Sequence, residues 1–129
     1  MIKLRNLHPL MTANYMLEFL SYLPGQQIQE LLQTNISQTS AFIQQAMHQI
    51  MTNESVTWGI TTKNKQKLVG IITIRLEDNK QAVIEAECAG DLPIEIILRI
   101  KSLLAMQLPA FTVSIDPQSD NQTQLKNNL

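Results

Sequence analysis

The sequence contains a single cysteine, Cys88, and only two histidines, His8 and His48, in 129 residues. One cysteine excludes an intramolecular disulfide, and two isolated histidines fit no metal-ligand spacing, so we expect no metal site. The longest uncharged apolar stretch, from Leu68 to Ile74, is too short to cross a bilayer. The first six residues lack the apolar core of a secretory signal. These absences predict a cytoplasmic protein.

Positive and negative charges nearly balance in this sequence. The formal net charge is -1, with 44% apolar and 16% charged residues. Such a composition is typical of a soluble globular protein, and it lacks the basic excess of nucleic-acid binders. We therefore expect one domain over residues 1–129, with neither nucleic acid nor membrane as a partner.

The hydrophobic pattern predicts a mixed α+β protein with helices, a run of strands, and helices again. Met16, Phe19, Leu20 and Leu23 recur at helical spacing, whereas the stretch after Val56 alternates like strands. The predicted strands are Met1–Leu7, Val56–Thr62, Leu68–Leu76, Ala82–Cys88 and Phe111–Ile115. The predicted helices are Pro9–Leu23, Gln26–Gln33, Thr39 or Ser40 to Asn53, Leu92–Gln107, and a short final helix through Leu125 to Leu129.

A predicted strand leads into a predicted apolar helix at residues 85–93. Backbone amides and the helix dipole at such a junction favour an anion, which makes it a natural phosphate site. This junction, however, holds one glycine and three carboxylates. In the helix that follows, Glu95 and Arg99 stand at i and i+4, a spacing that favours an ion pair.

The element order and two local stretches resemble the GNAT-type N-acetyltransferases. The stretch from Trp58 through Ile72, with Lys67-Leu68-Val69-Gly70 inside it, is similar to the second and third strands of that family. Residues 113–117 and 125–129 are similar to its fifth strand and fourth helix. The resemblance implies an acyl-CoA N-acyltransferase fold, a central and mostly antiparallel sheet flanked by helices, here without the last strand pair.

The resemblance also implies a place for acetyl-CoA, in a wedge between the fourth and fifth strands with its pyrophosphate on the amides that open the third helix. The family signature there is Arg or Gln, two residues, Gly, one residue, then Gly or Ala. Its three defined positions fall on Glu87, Gly90 and Leu92 in this sequence, and only Gly90 matches. The implied cofactor-binding residues are Cys88, Ala89, Gly90, Asp91, Leu92 and Ser119.

Several departures from the family pattern affect the cofactor. Glu87 and Asp91 bring negative charge toward the phosphates, and Leu92 places a branched side chain where a small residue lets the backbone approach. Ser119 and Gln122 stand where the family has Asn and Ser. No tyrosine follows Tyr22, although many relatives carry a tyrosine acid in the fourth helix, and the sequence stops before their last two strands. We therefore expect acetyl-CoA binding to be weakened or lost.

Glu85 and Glu87 are the candidate catalytic residues, since two carboxylates on one strand face can serve as a general base for an amine. The alternative is that both face solvent, or that Glu85 pairs with Arg75 across the strands. Cys88 is interpreted as a packing residue because no neighbouring cation lowers its pKa.

Three functions follow from this sequence. The first is a divergent acetyl-CoA-dependent N-acetyltransferase that acts on a small-molecule or peptide amine. The second is a catalytically inactive GNAT-fold module that binds a protein or small ligand in the cleft where the family binds acetyl-CoA. The third is an interaction subunit that forms a homodimer through the exposed edge of its fifth strand.

Overall fold

The computed structural model describes residues 3–7, 10–64 and 67–129. The start of the predicted first strand, His8, and part of the predicted 63–67 connection lie outside them. The strands are β1 (Leu10–Met11), β2 (Tyr15–Phe19), β3 (Ser55–Thr62), β4 (Leu68–Glu77), β5 (Gln81–Cys88) and β6 (Thr112–Ile115). The helices are α1 (Gly25–Leu32), α2 (Ile36–Met51), α3 (Ile94–Gln107) and α4 (Gln122–Asn128), and short 3-10 turns cover Leu4–Asn6 and Leu20–Tyr22.

The six strands form one sheet in chain order, antiparallel except for the parallel pair of β5 and β6. The mixed α/β architecture with a mostly antiparallel sheet is confirmed. The three consecutive antiparallel strands β3, β4 and β5, which we call the meander, are also confirmed, with boundaries within about one residue of those predicted. The tight turns between β3, β4 and β5 make antiparallel pairing possible, whereas β6 needs the crossover through α3 to run parallel.

Two layers of helices cover the sheet. Trp58, Ile72 and Ile84 point to one face and pack with the buried side of α3, where Ile96 and Ile100 are fully buried. A second, smaller cluster lies on the other face, where Ile28 of α1 is buried with Leu20, Leu68 and Ile71. The α2 residues that pack against this cluster are Phe42, Ile43 and Ala46. The candidate site lies at the end of the sheet where β5 and β6 stop pairing.

The predicted helix at Pro9–Leu23 is wrong for its described residues 10–23, which form the β1–β2 hairpin and then a 3-10 turn, while Pro9 lies outside the described residues. Leu17 is fully buried in the main core, with Tyr15 and Phe19 packed against the same cluster. Five residues of β2 pair with β3, so the backbone hydrogen-bonding groups along that edge of β3 find partners in a strand. Pairing and burial outweigh the helical spacing.

The predicted strand at Met1–Leu7 is also wrong for the part that the structure describes, where Leu4–Asn6 form a 3-10 turn. The amide of Leu4 donates a hydrogen bond of 2.7 Å to Oδ1 of Asn53, just after α2. The indole nitrogen of Trp58 donates to the carbonyl of Leu7 at 3.1 Å. These two bonds hold the segment across the end of the sheet.

The second helix begins earlier than its sequence suggests. The side chain of Asn35 accepts from the amide of Gln38 at 2.7 Å, and the Gln38 side chain accepts from the amide of Asn35 at 3.1 Å. This capping box starts α2 at Ile36, before the predicted start at Thr39 or Ser40. His48 lies exposed on α2.

Candidate functional site

The two parallel strands part at the middle of β5. The β5–β6 ladder runs from Gln81 opposite Thr112 to Ile84 opposite Ile115. One more backbone bond follows, from the amide of Asp116 to the carbonyl of Ile84 at 2.8 Å. Because β5 continues to Cys88 while β6 has ended, a wedge opens beside the last residues of β5.

The wedge is bridged by the chain that follows β6. We call residues 116–124 the closing segment. The hydroxyl of Ser119 in this segment donates to the carbonyl of Ala86 and accepts from the amide of Ala86, both at 2.9 Å. The amide of Asp120 adds a bond of 3.2 Å to the same carbonyl. Ser119 was predicted to bind the cofactor, and in this structure its buried hydroxyl pairs with β5.

A second side chain of the closing segment, that of Gln124, pairs with both backbone polar groups of Leu92 in the loop before α3. The carboxamide oxygen of Gln124 accepts from the amide of Leu92 at 2.9 Å, and its nitrogen donates to the carbonyl of Leu92. Asn121 donates to the carbonyl of Gly90 at 3.2 Å. The Oδ1 atom of Asn121 is buried, and no hydrogen-bond partner for it lies among the described residues.

The loop before α3 keeps some features that an anion needs. Gly90 adopts a φ of +112°, a conformation that favours glycine, and a Cβ there would meet nothing within 4 Å. The amides of Ile96 and Ile97 bond to the carbonyl of Pro93, whereas those of Ile94 and Glu95 belong to the helix start and have no intrahelical partner. Leu92 is 1% exposed and belongs to the core.

Glu95 binds the hairpin and not Arg99. One carboxylate oxygen accepts from the hydroxyl of Thr12 at 2.6 Å and from the amide of Asn14 at 2.9 Å, and the other accepts from the Asn14 side chain at 3.1 Å. The hydrogen bond from Thr12 is the main cause that lowers the pKa of Glu95. The predicted Glu95–Arg99 pair is therefore wrong, because the polar turn between β1 and β2 supplies better donors.

A carboxylate cluster stands on the α2 side of β5. Arg75 lies 3.5 Å from Glu85, 3.3 Å from Asp116 and 3.2 Å from Glu77. The alternative that Glu85 pairs with Arg75 is thereby confirmed. Sequence reasoning missed Asp116, which comes from the loop after β6 and is brought to β5 by the parallel pairing.

Burial raises the pKa of Glu85, and a shared hydrogen bond and the charge of Asp116 raise it further, while Arg75 opposes them. The pKa of Asp116 is lowered, chiefly by the backbone amide of Gln118, which donates to it at 2.8 Å. The proton of this pair therefore resides on Glu85 before Asp116. Of the Glu85–Asp116 pair, Glu85 is the carboxylate whose pKa is raised, the direction that a general base requires.

Glu87 and Cys88 complete the predicted set on β5. Burial first and the charge of Asp120 second raise the pKa of Glu87. Burial also raises the pKa of the Cys88 thiol, whose Sγ lies 3.1 Å from the carbonyl of Val69. A half-buried thiol with a raised pKa is a weak nucleophile, which agrees with the interpretation of Cys88 as a packing residue.

The structure therefore divides the predicted site residues into two groups. Residues 88–92 and Ser119 meet at the far end of β5, in the wedge and its loop. Glu85 and Glu87 share the face of β5 on the α2 side, and Glu85 lines a cavity of about 220 Å³ together with Arg75. Asn121 and Gln124 were missed because a polar residue in a short helix gives no sequence signal of the backbone group that it will meet.

The described residues contain no group of three His, Cys, Asp or Glu side chains that could hold a metal ion. Within the same part of the chain, no helix has the length and apolar character to span a membrane.

The sheet order, the parallel β5–β6 pair and the wedge beside it agree with the acyl-CoA N-acyltransferase fold that the sequence resemblance implies. Comparison with solved structures gives the same fold. A candidate ribosomal-protein-serine acetyltransferase from Vibrio cholerae matches with a TM-score of 0.69 at 16% identity, over 93% of this chain and 80% of that one.

Two further structures agree. The microcin C7 self-immunity acetyltransferase MccE, in complex with acetyl-CoA and AMP, matches with a TM-score of 0.65 at 18% identity, over 88% of this chain and 74% of that one. A further candidate acetyltransferase matches with a TM-score of 0.68 at 15% identity, over 94% and 81%. No protein-family profile and no curated protein matches the sequence significantly.

Proposed function

We propose that this chain is a divergent acetyl-CoA-dependent N-acetyltransferase with a low affinity for its cofactor. The observation that carries the proposal is the place where β5 and β6 part, directly after the Ile84–Ile115 pair. Glu85 is the next residue, and its carboxylate lines a cavity on the α2 side. A thioester entering the wedge would thus come close to an amine bound at Glu85.

The wedge fits acetyl-CoA through its backbone more than through its side chains. The polar groups of Ala86, the open space at Gly90 and the amides of Ile94 and Glu95 suit an amide-rich, phosphate-bearing ligand. Ser119 and Gln124 compete with the ligand for the backbone groups of Ala86 and Leu92. Each of their hydrogen bonds contributes a net free energy of about 1 kcal/mol, so a ligand can replace them. The carboxylates of residues 87, 91 and 120 oppose the phosphates, so the affinity is low.

The residues then divide the work of acetyl transfer. When bound, acetyl-CoA would supply the acetyl carbon, as a thioester carbonyl that an amine can attack, and a thiolate leaving group. Glu85 accepts the proton of the acceptor ammonium group, which leaves the nitrogen lone pair free to bond to the carbonyl carbon. The proton taken by Glu85 is returned to solvent, and the second amine proton, lost as the amide forms, would go to the thiolate sulfur. Arg75 and Asp116 hold the Glu85 carboxylate in place.

Calorimetric titration with acetyl-CoA tests the proposal. We expect weak, saturable binding, and we expect Asp91→Asn to tighten it about 2–5-fold at low salt, because one repelling charge is removed. Asp78→Asn is the matched control, since the same charge is lost at the remote β4–β5 turn and binding should not change. Glu85→Gln should retain binding and lose acetyl transfer to amines.

A second function, the catalytically inactive module, is favoured by one observation. The closing segment pairs with both Ala86 and Leu92, so the wedge is bridged by the protein's own side chains. If the natural chain, Asp91→Asn and Ser119→Ala all fail to bind acetyl-CoA while folded, transfer is excluded and this second function stands.

A further inference from the structure

A cavity of about 370 Å³ lies between α2 and the two 3-10 turns, Leu4–Asn6 and Leu20–Tyr22. This volume falls within the range of small-molecule sites, roughly 300–1,000 Å³. The cavity that Glu85 lines is on the other flank of α2, and among the described residues the two cavities share only Ala46 and Thr57, where the helix contacts β3. We call the first of them the flank cavity, and it is separate from both the wedge and Glu85.

The wall that carries Arg5 is held in place at both ends. Leu4 is fully buried, and its amide donates to Oδ1 of Asn53 at 2.7 Å. The carbonyl of Leu7 accepts from the indole nitrogen of Trp58 at 3.1 Å. Because the turn between these two anchors is fixed before any ligand arrives, binding there costs little conformational entropy in the protein.

The apolar side chains around the flank cavity are exposed and suit a flat ring. Met47 and Met51 of α2 are 48% and 64% exposed, and Tyr22 is 74% exposed. The ring of Tyr22 is stacked on that of Phe19, which packs against the main core and so supports it. Methionine side chains adapt to the shape of a ligand, and their sulfur atoms make favourable contacts with aromatic rings. These residues therefore favour an aromatic ligand.

The charge of the flank cavity favours an anion. Among the described residues that line it, Arg5 alone carries a charge. Its side chain is exposed, and no described carboxylate lies within ion-pairing distance of it. A guanidinium whose donors are not engaged by an acidic side chain can bind a ligand carboxylate through two parallel hydrogen bonds. Asn6 and Ser21 add neutral polar groups to the same lining.

We propose that the flank cavity binds a small aromatic carboxylate, with the ring against Met47, Met51 and Tyr22 and the carboxylate at Arg5. Neither acetyl-CoA nor Glu85 takes part in this binding, so the inference does not rest on the proposed function. The ring supplies apolar contacts and the carboxylate supplies the charge that Arg5 lacks, so both parts of the ligand contribute to its affinity.

Methionine-methyl NMR without acetyl-CoA tests the proposal. The probe is cinnamate, added to the full chain labelled at its methionine methyl groups. We expect the signals of Met47 and Met51 to move in a saturable manner, because an aromatic ring shifts the resonances of the methyl groups that it contacts. Met106, 72% exposed on α3 in the opposite helix layer, is the internal control and should not move.

A neutral probe and two charge variants show whether Arg5 recognises the carboxylate. Cinnamamide, with the same ring and no charge, should bind about 2–5-fold more weakly than cinnamate. Arg5→Gln should weaken cinnamate by the same factor and leave cinnamamide unchanged. Lys3→Gln is the matched control, since it removes an exposed positive charge two residues away that does not line the cavity, and it should leave both affinities unchanged.

Four results would overturn the proposal. The first two are unmoved Met47 and Met51 signals at millimolar cinnamate and equal movement of Met106. The other two are equal affinities for cinnamate and cinnamamide, and equal losses of affinity in Arg5→Gln and Lys3→Gln. Circular dichroism of each variant confirms that the protein compared is folded.

Discussion

The hydroxyl of Ser119 is hydrogen-bonded to both backbone polar groups of Ala86, each at 2.9 Å. One side chain thus takes the place that the next residue of a paired strand would occupy. Gln124 repeats the arrangement at Leu92 with its carboxamide. The hydrogen bonding of β5 is therefore continued beyond its last pair with β6 by side chains that bridge the wedge.

Ser119→Ala should destabilise the protein by about 1–3 kcal/mol, because the buried amide of Ala86 loses its acceptor. For a chain of this length that corresponds to a melting temperature lower by roughly 4–11 °C. Ser114→Ala on the exposed edge strand β6 is the control and should change it by less than about 2 °C. Thermal unfolding followed by circular dichroism measures both, and equal effects of the two changes would contradict the bridging role.

Glu95→Gln should destabilise the protein at pH 7 and have little effect near pH 3. The folded-state pKa of Glu95 is lowered, so its contribution is present above the unfolded pKa and is lost as the pH falls through the folded value. Glu30→Gln on α1 keeps the same chemistry without the contact to the hairpin. The melting temperature measured against pH for both variants gives the comparison, and a Glu95→Gln effect independent of pH would contradict the ionic origin.

Glu87→Gln should stabilise the protein at pH 7 only slightly, by about 1 °C in melting temperature, because the side chain is exposed and solvent screens its charge. Burial and Asp120 raise the folded-state pKa of Glu87, so stability falls as the pH rises from the unfolded pKa through the folded one. A neutral side chain removes that loss, and the gain should vanish near pH 4. A gain that persists at pH 4 would instead indicate an effect of packing.

Cys88 should react slowly with iodoacetamide at pH 8 in the folded protein. Its thiol is partly buried, its pKa is raised by burial, and its Sγ lies against the carbonyl of Val69. Denaturation in guanidinium should raise the rate at least about 10-fold, since the exposed thiolate is the reactive form. Mass spectrometry over time measures the adduct, and fast alkylation of the folded protein would make Cys88 a candidate nucleophile.

The homodimer predicted from the sequence remains a prediction. Val113 in the edge strand β6 is 37% exposed, and residues 112–115 contain no charge that would discourage pairing with another strand. Light scattering at high concentration should detect the dimer, and Val113→Lys should dissociate it. A monomer in the natural protein at the same concentration would remove this prediction.

The predictability of the fold from the sequence depends on how local its causes are. The meander and α3 follow from periodicity and tight turns, and each agrees with its neighbours. The segment after residue 9 fails because the spacing of Met16, Phe19 and Leu20 fits a helix, while Tyr15, Leu17 and Phe19 also alternate as a strand. The free edge of β3 decides between them, and that edge exists only in the assembled sheet.

The candidate site divides in the same way. Glu85 and Arg75 lie on adjacent strands, so their pair is visible from the register of a hairpin. Asp116 and Gln124 come to the site through a parallel crossover and a short helix, and their partners are far away in sequence. Such contacts depend on backbone groups, which every residue carries, and a sequence does not indicate which of them will meet a side chain.

The chain order of the sheet has a consequence for the way the molecule assembles. β3, β4 and β5 are joined by tight turns and can form early, whereas β6 reaches β5 only after the whole of α3 has been placed. By this argument the β5–β6 pair and the wedge beside it form after the strands β3 to β5 and open more readily than they do in the native state. Hydrogen exchange should show this directly, with the amides of Asp116 and Asp120 exchanging faster than that of Ile72.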